Sequence, residues 1–353
     1  MTDIQGYQVA LELYQQNGTV LAREAVTVDW EPAIESAWFD GVRGDLLPLA
    51  GPPPVAAIRP VWHLRLGEPY LAGFAVELSA GGEKRSESQF TTVYFAALAQ
   101  ALSTRLVAEG KLVVGEQFSY FSTAFVAPQA AEPRRQPRFS AVQLAAPLTL
   151  REMSLEPLLR VSSAQDEQRA DDMAAFLAAQ VLVETADLTR ESGDNETGGI
   201  LVGHLCRDTE RQALFAVVSA QIAATRTNAG STSLTFTSAT WGDVRAALDL
   251  RRKGEIMLGW WHSHPVRSWC ASCPDEKRRS CSAMSCFFSS QDEALHRTVF
   301  PKAFSLALVV SEIAEDDRRS ALFGWRRGRV EQRGFHIVRA SAGDSAGDSA
   351  GLW

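Results

Sequence analysis

The chain has 353 residues, of which 46% are hydrophobic and 22% charged, and its formal net charge is -7. This length suits two domains, and the composition is that of a globular protein with a core of ordinary size. The negative charge argues against a general binder of nucleic acid or of anionic membranes, because such proteins usually carry a basic surface. No apolar run approaches the ~18 residues of a membrane helix.

The first residues, MTDIQGYQVALELYQQNG, contain neither a basic start nor a long apolar block. They are not typical of a secretory signal, so we expect a cytoplasmic protein. Disulfides are rare in the cytoplasm, and clustered cysteines in such a chain are expected to bind metal.

Residues 1–127 are predicted to form a mixed α/β domain. YQVALELYQQNG, VWHLRLG, YLAGFAVELSAGG and FSYFSTAFV have the composition of strands, whereas TTVYFAALAQALSTRLVAEG has apolar residues at helical spacing. GPPPVAAIRP is predicted to be a stiff loop. No catalytic group of residues is apparent here, so we expect a recognition or docking domain. Residues 128–147, rich in proline and arginine at their start, predict a linker.

Residues 148–340 alternate helices and strands. ADDMAAFLAAQVLVETA, ATWGDVRAALDLRRKG and SSQDEALHRTVF predict helices. GGILVGHL and QALFAVVSAQIAAT predict a hairpin, SLTFTS and EIMLGWWHSH predict strands, and AFSLALVVSEI with SALFGWRRGRVEQRGFHIV predicts more. This order favours an α/β or α+β fold, with a mixed sheet flanked by helices. Residues 341–353, which contain an SAGD repeat, are predicted to be disordered.

Two histidines in the second half are placed to share one ion. His262 and His264 are two residues apart on a predicted strand, so their side chains point to the same face. Asp292, in the first turn of a predicted helix, is the candidate third ligand. Two histidines and one carboxylate leave a fourth zinc position open, which is the pattern of catalytic sites.

Each of these signals also has a purely structural interpretation. Taken alone, Asp292 is more typical of a helix-start carboxylate favoured by the dipole than of a ligand. Ser290 with Glu293 has the spacing of a capping box. Glu196 precedes a strand that opens with two glycines, which would let a backbone or a substrate come close. Alone, Glu196 would be read as a solvated loop acid, whereas beside an activated water it could accept and pass on a proton.

Together, ETGGILVG, GWWHSHP and SSQD resemble the JAMM (JAB/MPN) zinc metalloprotease family, and in particular its bacterial, deubiquitinase-like members. The resemblance covers roughly residues 150–340 and implies a cytidine-deaminase-like mixed sheet. It implies that His262, His264 and Asp292 hold a catalytic zinc ion. Glu196 would be the general base and then the acid. Ser289, selected over Ser290 by the S-x-x-D spacing, would donate a hydrogen bond to the oxyanion.

The same resemblance implies an isopeptidase or peptidase. Zinc-activated water would attack the carbonyl that follows the C-terminal glycine region of a ubiquitin-like protein, in precursor processing or in deconjugation. The implied partners are that protein, its conjugates, and enzymes resembling ubiquitin-activating and ubiquitin-conjugating enzymes, in a bacterial conjugation or antiviral system. Trp260 and Trp261 are candidate walls for a narrow channel that receives the glycines, although on a buried strand one of them is expected to belong to the core.

Residues 266–288 depart from the family pattern. Twenty-eight positions separate His264 from Asp292, and the additional residues carry Cys270, Cys273, Cys281 and Cys286. Four such thiols favour a second, structural zinc site in an insert too polar to form its own core. Free thiols and redox-active pairing stay open as alternatives, and His296 is a substitute fourth ligand. We expect the insert to form a wall for the substrate.

Two other functions remain to be weighed. The chain could be a catalytically silent scaffold in a conjugation system, which the full Glu–His–His–Ser–Asp set argues against. It could also be a nucleic-acid module built on the cysteines, which the net charge of -7 argues against.

Overall fold

The computed structural model describes residues 7–49, 53–65, 68–81, 84–126, 148–224, 227–229, 234–274, 286–314 and 317–339. The chain divides into two compact units. One is Met1–Leu148 with Arg327–Arg329, and the other is Thr149–Arg326 with Val330–Trp353. The predicted linker 128–147 and the predicted tail 341–353 lie outside the described residues. Within the ranges given, no helix is long and apolar enough to cross a membrane.

The first unit contains two antiparallel sheets, with strand orders β2-β1-β6 and β3-β4-β5. Its elements are β1 (Tyr7–Gln15), β2 (Val20–Val26), α1 (Glu31–Arg43), β3 (Val55–Arg65), β4 (Glu68–Ser79), β5 (Arg85–Thr91), a 3₁₀ turn (Thr92–Phe95), α2 (Ala96–Ala108) and β6 (Phe118–Val126).

Two features of this unit differ from the sequence-based expectation. The stiff loop predicted over GPPPVAAIRP is wrong from Val55 onward, because strand β3 begins there and runs through Pro60. A proline lacks the N–H that an inner strand needs, and β3 accommodates it at the edge of its sheet. Helix α1, with a proline in its first turn, was not predicted.

The second unit is built on one mixed sheet, ordered β17-β16-β15-β14-β10-β11-β9-β18-β8, with β7 also paired to β10. Its strands are β7 (Leu150–Glu152), β8 (Ser162–Gln165), β9 (Ala174–Ala178), β10 (Gly198–Asp208), β11 (Ala213–Ala223), β12 (Thr227–Ala229), β13 (Leu234–Phe236), β14 (Ile256–His264), β15 (Leu306–Ala314), β16 (Asp317–Arg326), β17 (Arg329–Arg333) and β18 (Phe335–Val338). Its helices are α3 (Leu155–Val161), α4 (Ala179–Ser192), α5 (Ser238–Arg251), α6 (Val266–Trp269) and α7 (Ser290–Val299). The predicted fold class, a mixed sheet accompanied by helices, is confirmed.

The helix predicted over ADDMAAFLAAQVLVETA is wrong in its first half. Ala174–Ala178 forms strand β9, which lies parallel to both β11 and β18, and α4 begins only at Ala179. In a short apolar run, hydrophobic periodicity cannot distinguish a buried strand from a buried helix. Here, hydrogen bonding to a neighbouring strand on each side stabilises the strand conformation.

Strand β14 occupies the centre of the sheet, antiparallel to β10 and parallel to β15. Seven of its nine residues are buried. The core beside it includes Ile200, Trp260 and Val309, which are at most 1% exposed. A strand paired on both edges and packed on its face is rigid, so side chains at its end are held in place.

Gly199, the second glycine of β10, allows close backbone packing. A Cβ atom on Gly199 would lie 2.4 Å from the carbonyl oxygen of Ile222 and 2.7 Å from Nε1 of Trp261. Both distances are shorter than any ordinary contact, so a side chain here would push β10 away from β11. The second possibility raised from the sequence, a substrate approaching this backbone, is not needed to explain Gly199.

We therefore expect Gly199→Ala to destabilise the protein by about 1–3 kcal/mol, as overpacking of a core does. The matched control is Gly242→Ala in α5, where a Cβ atom would meet nothing within 4 Å. Alanine is the better helix former there, so this variant should gain about 0.5–1 kcal/mol. Urea denaturation measures both. Equal stability of Gly199→Ala and the wild type would contradict the packing argument.

Candidate metal centre

The end of β14 delivers two histidines to one buried point. His262 and His264 are 1% and 2% exposed, and their Nε2 atoms lie 3.1 Å apart. The Oδ1 atom of Asp292, at the start of α7, lies 3.4 Å from Nε2 of His262. The structure thus brings together the three ligands predicted from the sequence, with their donor atoms within 4.8 Å of one another.

The two shorter of these separations, which both involve His262, match what a small tetrahedral ion requires. Ligand atoms bonded at 2.0–2.1 Å in tetrahedral geometry are about 3.3 Å apart. The distances of 3.1 and 3.4 Å bracket this value. Nδ1 of both histidines is buried and has no hydrogen-bond partner among the described residues. By donor type and by their convergence, His262, His264 and Asp292 can hold a metal ion.

A capping box aims the carboxylate of Asp292. Ser289 is the N-cap of α7, and its Oγ accepts a hydrogen bond from the backbone N–H of Asp292 at 3.1 Å. In return, the backbone N–H of Ser289 donates to Oδ2 of Asp292 at 2.8 Å. Oδ2 is thereby fixed, while Oδ1 is left facing His262. The capping box considered for Ser290 and Glu293 is instead formed by Ser289 and Asp292.

The protonation states favoured by this environment are those that metals bind. Burial, followed by the nearby His262, lowers the pKa of His264. Burial alone would raise the pKa of Asp292, but hydrogen bonding and the charge of His262, together with the bonds from Ser289, lower it overall. A neutral imidazole and an ionised carboxylate are the forms that donate electron pairs to a metal ion.

Glu196 completes the group as a buried acid. It lies just before β10, is 6% exposed, and interacts electrostatically with both His262 and Asp292. Burial raises the pKa of Glu196 to about 7, with His262 opposing the rise and Asp292 adding to it. The solvated loop acid considered from the sequence is therefore excluded by burial. A carboxyl group of this pKa can both accept and return a proton near neutral pH.

A serine between the two histidines connects β14 to the segment that carries Glu196. The backbone N–H of Ser263 donates to the carbonyl oxygen of Thr197 at 2.8 Å, and the backbone N–H of Thr197 donates to Oγ of Ser263 at 2.9 Å. Ser263 is fully buried. These two bonds hold Thr197, and with it the adjacent Glu196, at the strand that carries His262 and His264. Sequence reasoning missed Ser263 because no spacing rule indicates a contact with a residue 66 positions away.

The aromatic side chains beside the site are not those expected from the sequence. Trp260 and Trp261 are 1% and 0% exposed, so the prediction that they wall a substrate channel is wrong. Both belong to a central strand and pack into the interior. The half-buried rings next to His264 are Trp269 and Phe287, with centroids 5.1 and 4.5 Å from the imidazole. These two residues lie near the two ends of the insert 266–288.

The four-cysteine zinc site stays a prediction. Cys281 lies outside the described residues, and Cys270, Cys273 and Cys286 do not form a group of three metal donors in the part of the chain that is described. Cys270 is buried, and the backbone N–H of Cys273 donates to its carbonyl oxygen. Cys286 packs against the hydrophobic core, and burial raises the pKa of its thiol.

No protein-family model matches this sequence, and no curated protein matches it. Among solved structures, the chain is similar to the solution structure of protein DSY2949 from Desulfitobacterium hafniense, with 21% sequence identity and a TM-score of 0.31. The match covers 47% of this chain and 92% of that one. A likeness this low carries no argument, so the site is interpreted from its own geometry.

The buried Glu196 predicts a pH-dependent difference in stability for the metal-free protein. Folding raises the pKa of Glu196 from 4.5 to about 7, so the folded state binds the proton more tightly than the unfolded state does. This binding stabilises the folded protein fully below pH 4.5, and the stabilisation is lost as the pH rises through 7. Glu196→Gln cannot ionise. The free energy of unfolding of the variant, relative to that of the wild type, should therefore rise by up to about 3 kcal/mol between pH 4.5 and 8. Urea denaturation of both proteins in chelator measures this gain, and a pH-independent difference would contradict the assignment.

Proposed function

We propose that the chain is a zinc-dependent isopeptidase or peptidase that cleaves after the C-terminal glycine region of a ubiquitin-like protein. The observation that supports this most strongly is the convergence of His262, His264 and Asp292 in a buried site that also contains Glu196. The order of these residues along the chain resembles that of the JAMM family, and the proposal adopts that family's fold and substrate class.

The proposed chemistry assigns one task to each side chain. His262, His264 and Asp292 would hold the zinc ion, which when bound polarises a carbonyl group and makes water nucleophilic near neutral pH. Glu196 accepts the proton of the attacking water and delivers it to the departing amine. In the metal-free chain, burial raises the pKa of Glu196 to about 7, which brings its proton exchange close to neutral pH.

Ser289 is assigned to the oxyanion that develops at the scissile carbonyl. Its Oγ already accepts a hydrogen bond from the backbone N–H of Asp292, so the orientation of the hydroxyl group is restricted. The hydroxyl proton is not used by that bond and can be donated to the oxyanion. The capping box therefore has two effects, since it starts α7 and fixes a donor beside the metal ligands.

The partners follow from the same proposal. A ubiquitin-like protein and its conjugates are the substrates, and the insert 266–288 contributes to their binding through its ends at Trp269 and Phe287. Residues 1–127 contain no group of three metal-binding side chains within their described part, and we assign them to recognition. The structural zinc on the insert's cysteines remains part of the proposal.

Glu196→Gln should keep zinc and lose cleavage by at least about 100-fold, because glutamine cannot shuttle a proton. The assay follows release of a reporter fused behind ubiquitin-like proteins with glycine-ending tails, with metal content measured on the same samples. Glu191→Gln, at an exposed position nearby, is the matched control and should cleave as the wild type does. Replacing His262 and His264 by Ala should remove the zinc ion from this site.

Cleavage by Glu196→Gln at the wild-type rate would contradict the assigned mechanism. A wild-type protein that binds zinc at His262 and His264 but cleaves no glycine-ending tail would instead favour the silent scaffold.

A further inference from the structure

One buried polar residue next to the metal centre has no task in the proposed chemistry. His296 lies on α7, four residues after Asp292 and therefore on the same side of the helix. It is fully buried. Its Nδ1 atom lies 3.0 Å from Nε1 of Trp260, on β14. An indole N–H can only donate, so Nδ1 of His296 is the acceptor and carries no proton.

The surroundings of His296 keep its ring neutral. The rings of Phe288 and Phe300 have centroids 6.0 Å from it, and that of Trp325 lies at 5.5 Å. Burial, with a smaller contribution from Arg297, lowers the pKa of His296 to about 3. The imidazole is therefore a permanent acceptor for Trp260. It was expected from the sequence only as a substitute ligand for the cysteine site, and its burial against Trp260 makes it unsuitable for that.

Keeping an imidazole at this position has a cost. Nε2 of His296 is buried and has no hydrogen-bond partner among the described residues. A leucine would fill an apolar pocket of this kind without leaving a polar atom unsatisfied. The hydrogen bond to Trp260 is what an aliphatic side chain could not provide.

Trp260 connects that bond to a metal ligand. Its ring stacks on the imidazole of His262, with centroids 4.6 Å apart and planes 14° from parallel. One face of the indole thus restricts the plane of His262, while its N–H is bonded to α7. The bond joins the two elements that supply the ligands, since β14 carries His262 and His264 and α7 carries Asp292.

We propose that the hydrogen bond from Trp260 to His296 is a positioning device for the metal centre. It holds α7 at the distance from β14 at which Oδ1 of Asp292 meets Nε2 of His262, and it fixes the plane of the His262 ring. Trp260 and His296 are positioning residues that act through the ligands and do not touch the reacting atoms. The inference rests on the metal site of the proposed function and is independent of the reaction catalysed there.

The test is metal affinity on the full chain, measured with Zn²⁺ by competition against a chromogenic chelator. Trp260→Phe keeps a ring to stack on His262 but removes the N–H, and His296→Leu removes the acceptor. Each should weaken zinc binding about 10- to 100-fold, the usual effect of losing a residue that orients a metal ligand. In Co²⁺-loaded samples the visible absorption bands should also change, because the ligand geometry is altered.

Two further variants separate positioning from general stability. Trp261→Phe removes a comparable buried indole bond on the opposite face of β14, from Nε1 to Oε1 of Gln221 at 3.1 Å. It should leave zinc affinity within about threefold of the wild type, since it is no partner of a metal ligand. The double variant Trp260→Phe/His296→Leu leaves no unpaired partner, so it should fold even where a single variant does not. It should still bind zinc weakly.

Wild-type zinc affinity and an unchanged Co²⁺ spectrum in the double variant would overturn this proposal while the proposed function stands. An equal loss of affinity in Trp261→Phe would also overturn it, because the effect would then be one of stability. A wild-type protein that binds no zinc overturns both proposals. Zinc binding with the expected losses, but without peptidase activity, supports the positioning device and overturns only the proposed function.

Discussion

The architecture of the site depends on two elements meeting where little water can reach. Strand β14 ends with His262 and His264, and α7 begins beside them with Asp292. Polar groups so deeply buried are costly unless each finds a partner. Nε2 of His262 lies close to Nε2 of His264 and to Oδ1 of Asp292, so three electron-pair donors converge on one point. The cation proposed for this point would offset the cost of burying them.

Helix capping and ligand positioning are achieved here by the same atoms. The carboxylate of Asp292 uses Oδ2 to accept from the N-cap backbone, which leaves Oδ1 free to face His262. Asp292 therefore serves as a capping residue and still presents one oxygen as a candidate metal ligand. Ser263 connects the same strand to the residue after Glu196, so one short stretch of β14 carries both histidines and anchors the segment of the acid.

The spacing of residues in the sequence predicted those features of the site that depend on the geometry of a single strand or helix. The two-residue spacing of His262 and His264 gave a shared face because strand side chains alternate. Contacts that form only in the folded chain were missed. Nothing in the sequence indicates that Ser263 would meet Thr197, that Trp260 would bond to His296, or that two tryptophans in a row would both be buried. The error at Ala174–Ala178 has the same origin, since strand pairing outweighed a helix-like composition.

His262, His264 and Asp292 are proposed to bind a metal ion. Crystals of the full chain grown with zinc, with anomalous diffraction measured at the zinc absorption edge, test it most directly. We expect a peak within about 2.0–2.2 Å of both Nε2 atoms and of Oδ1 of Asp292. The absence of a peak at these three atoms, in crystals that show zinc elsewhere on the chain, would contradict it.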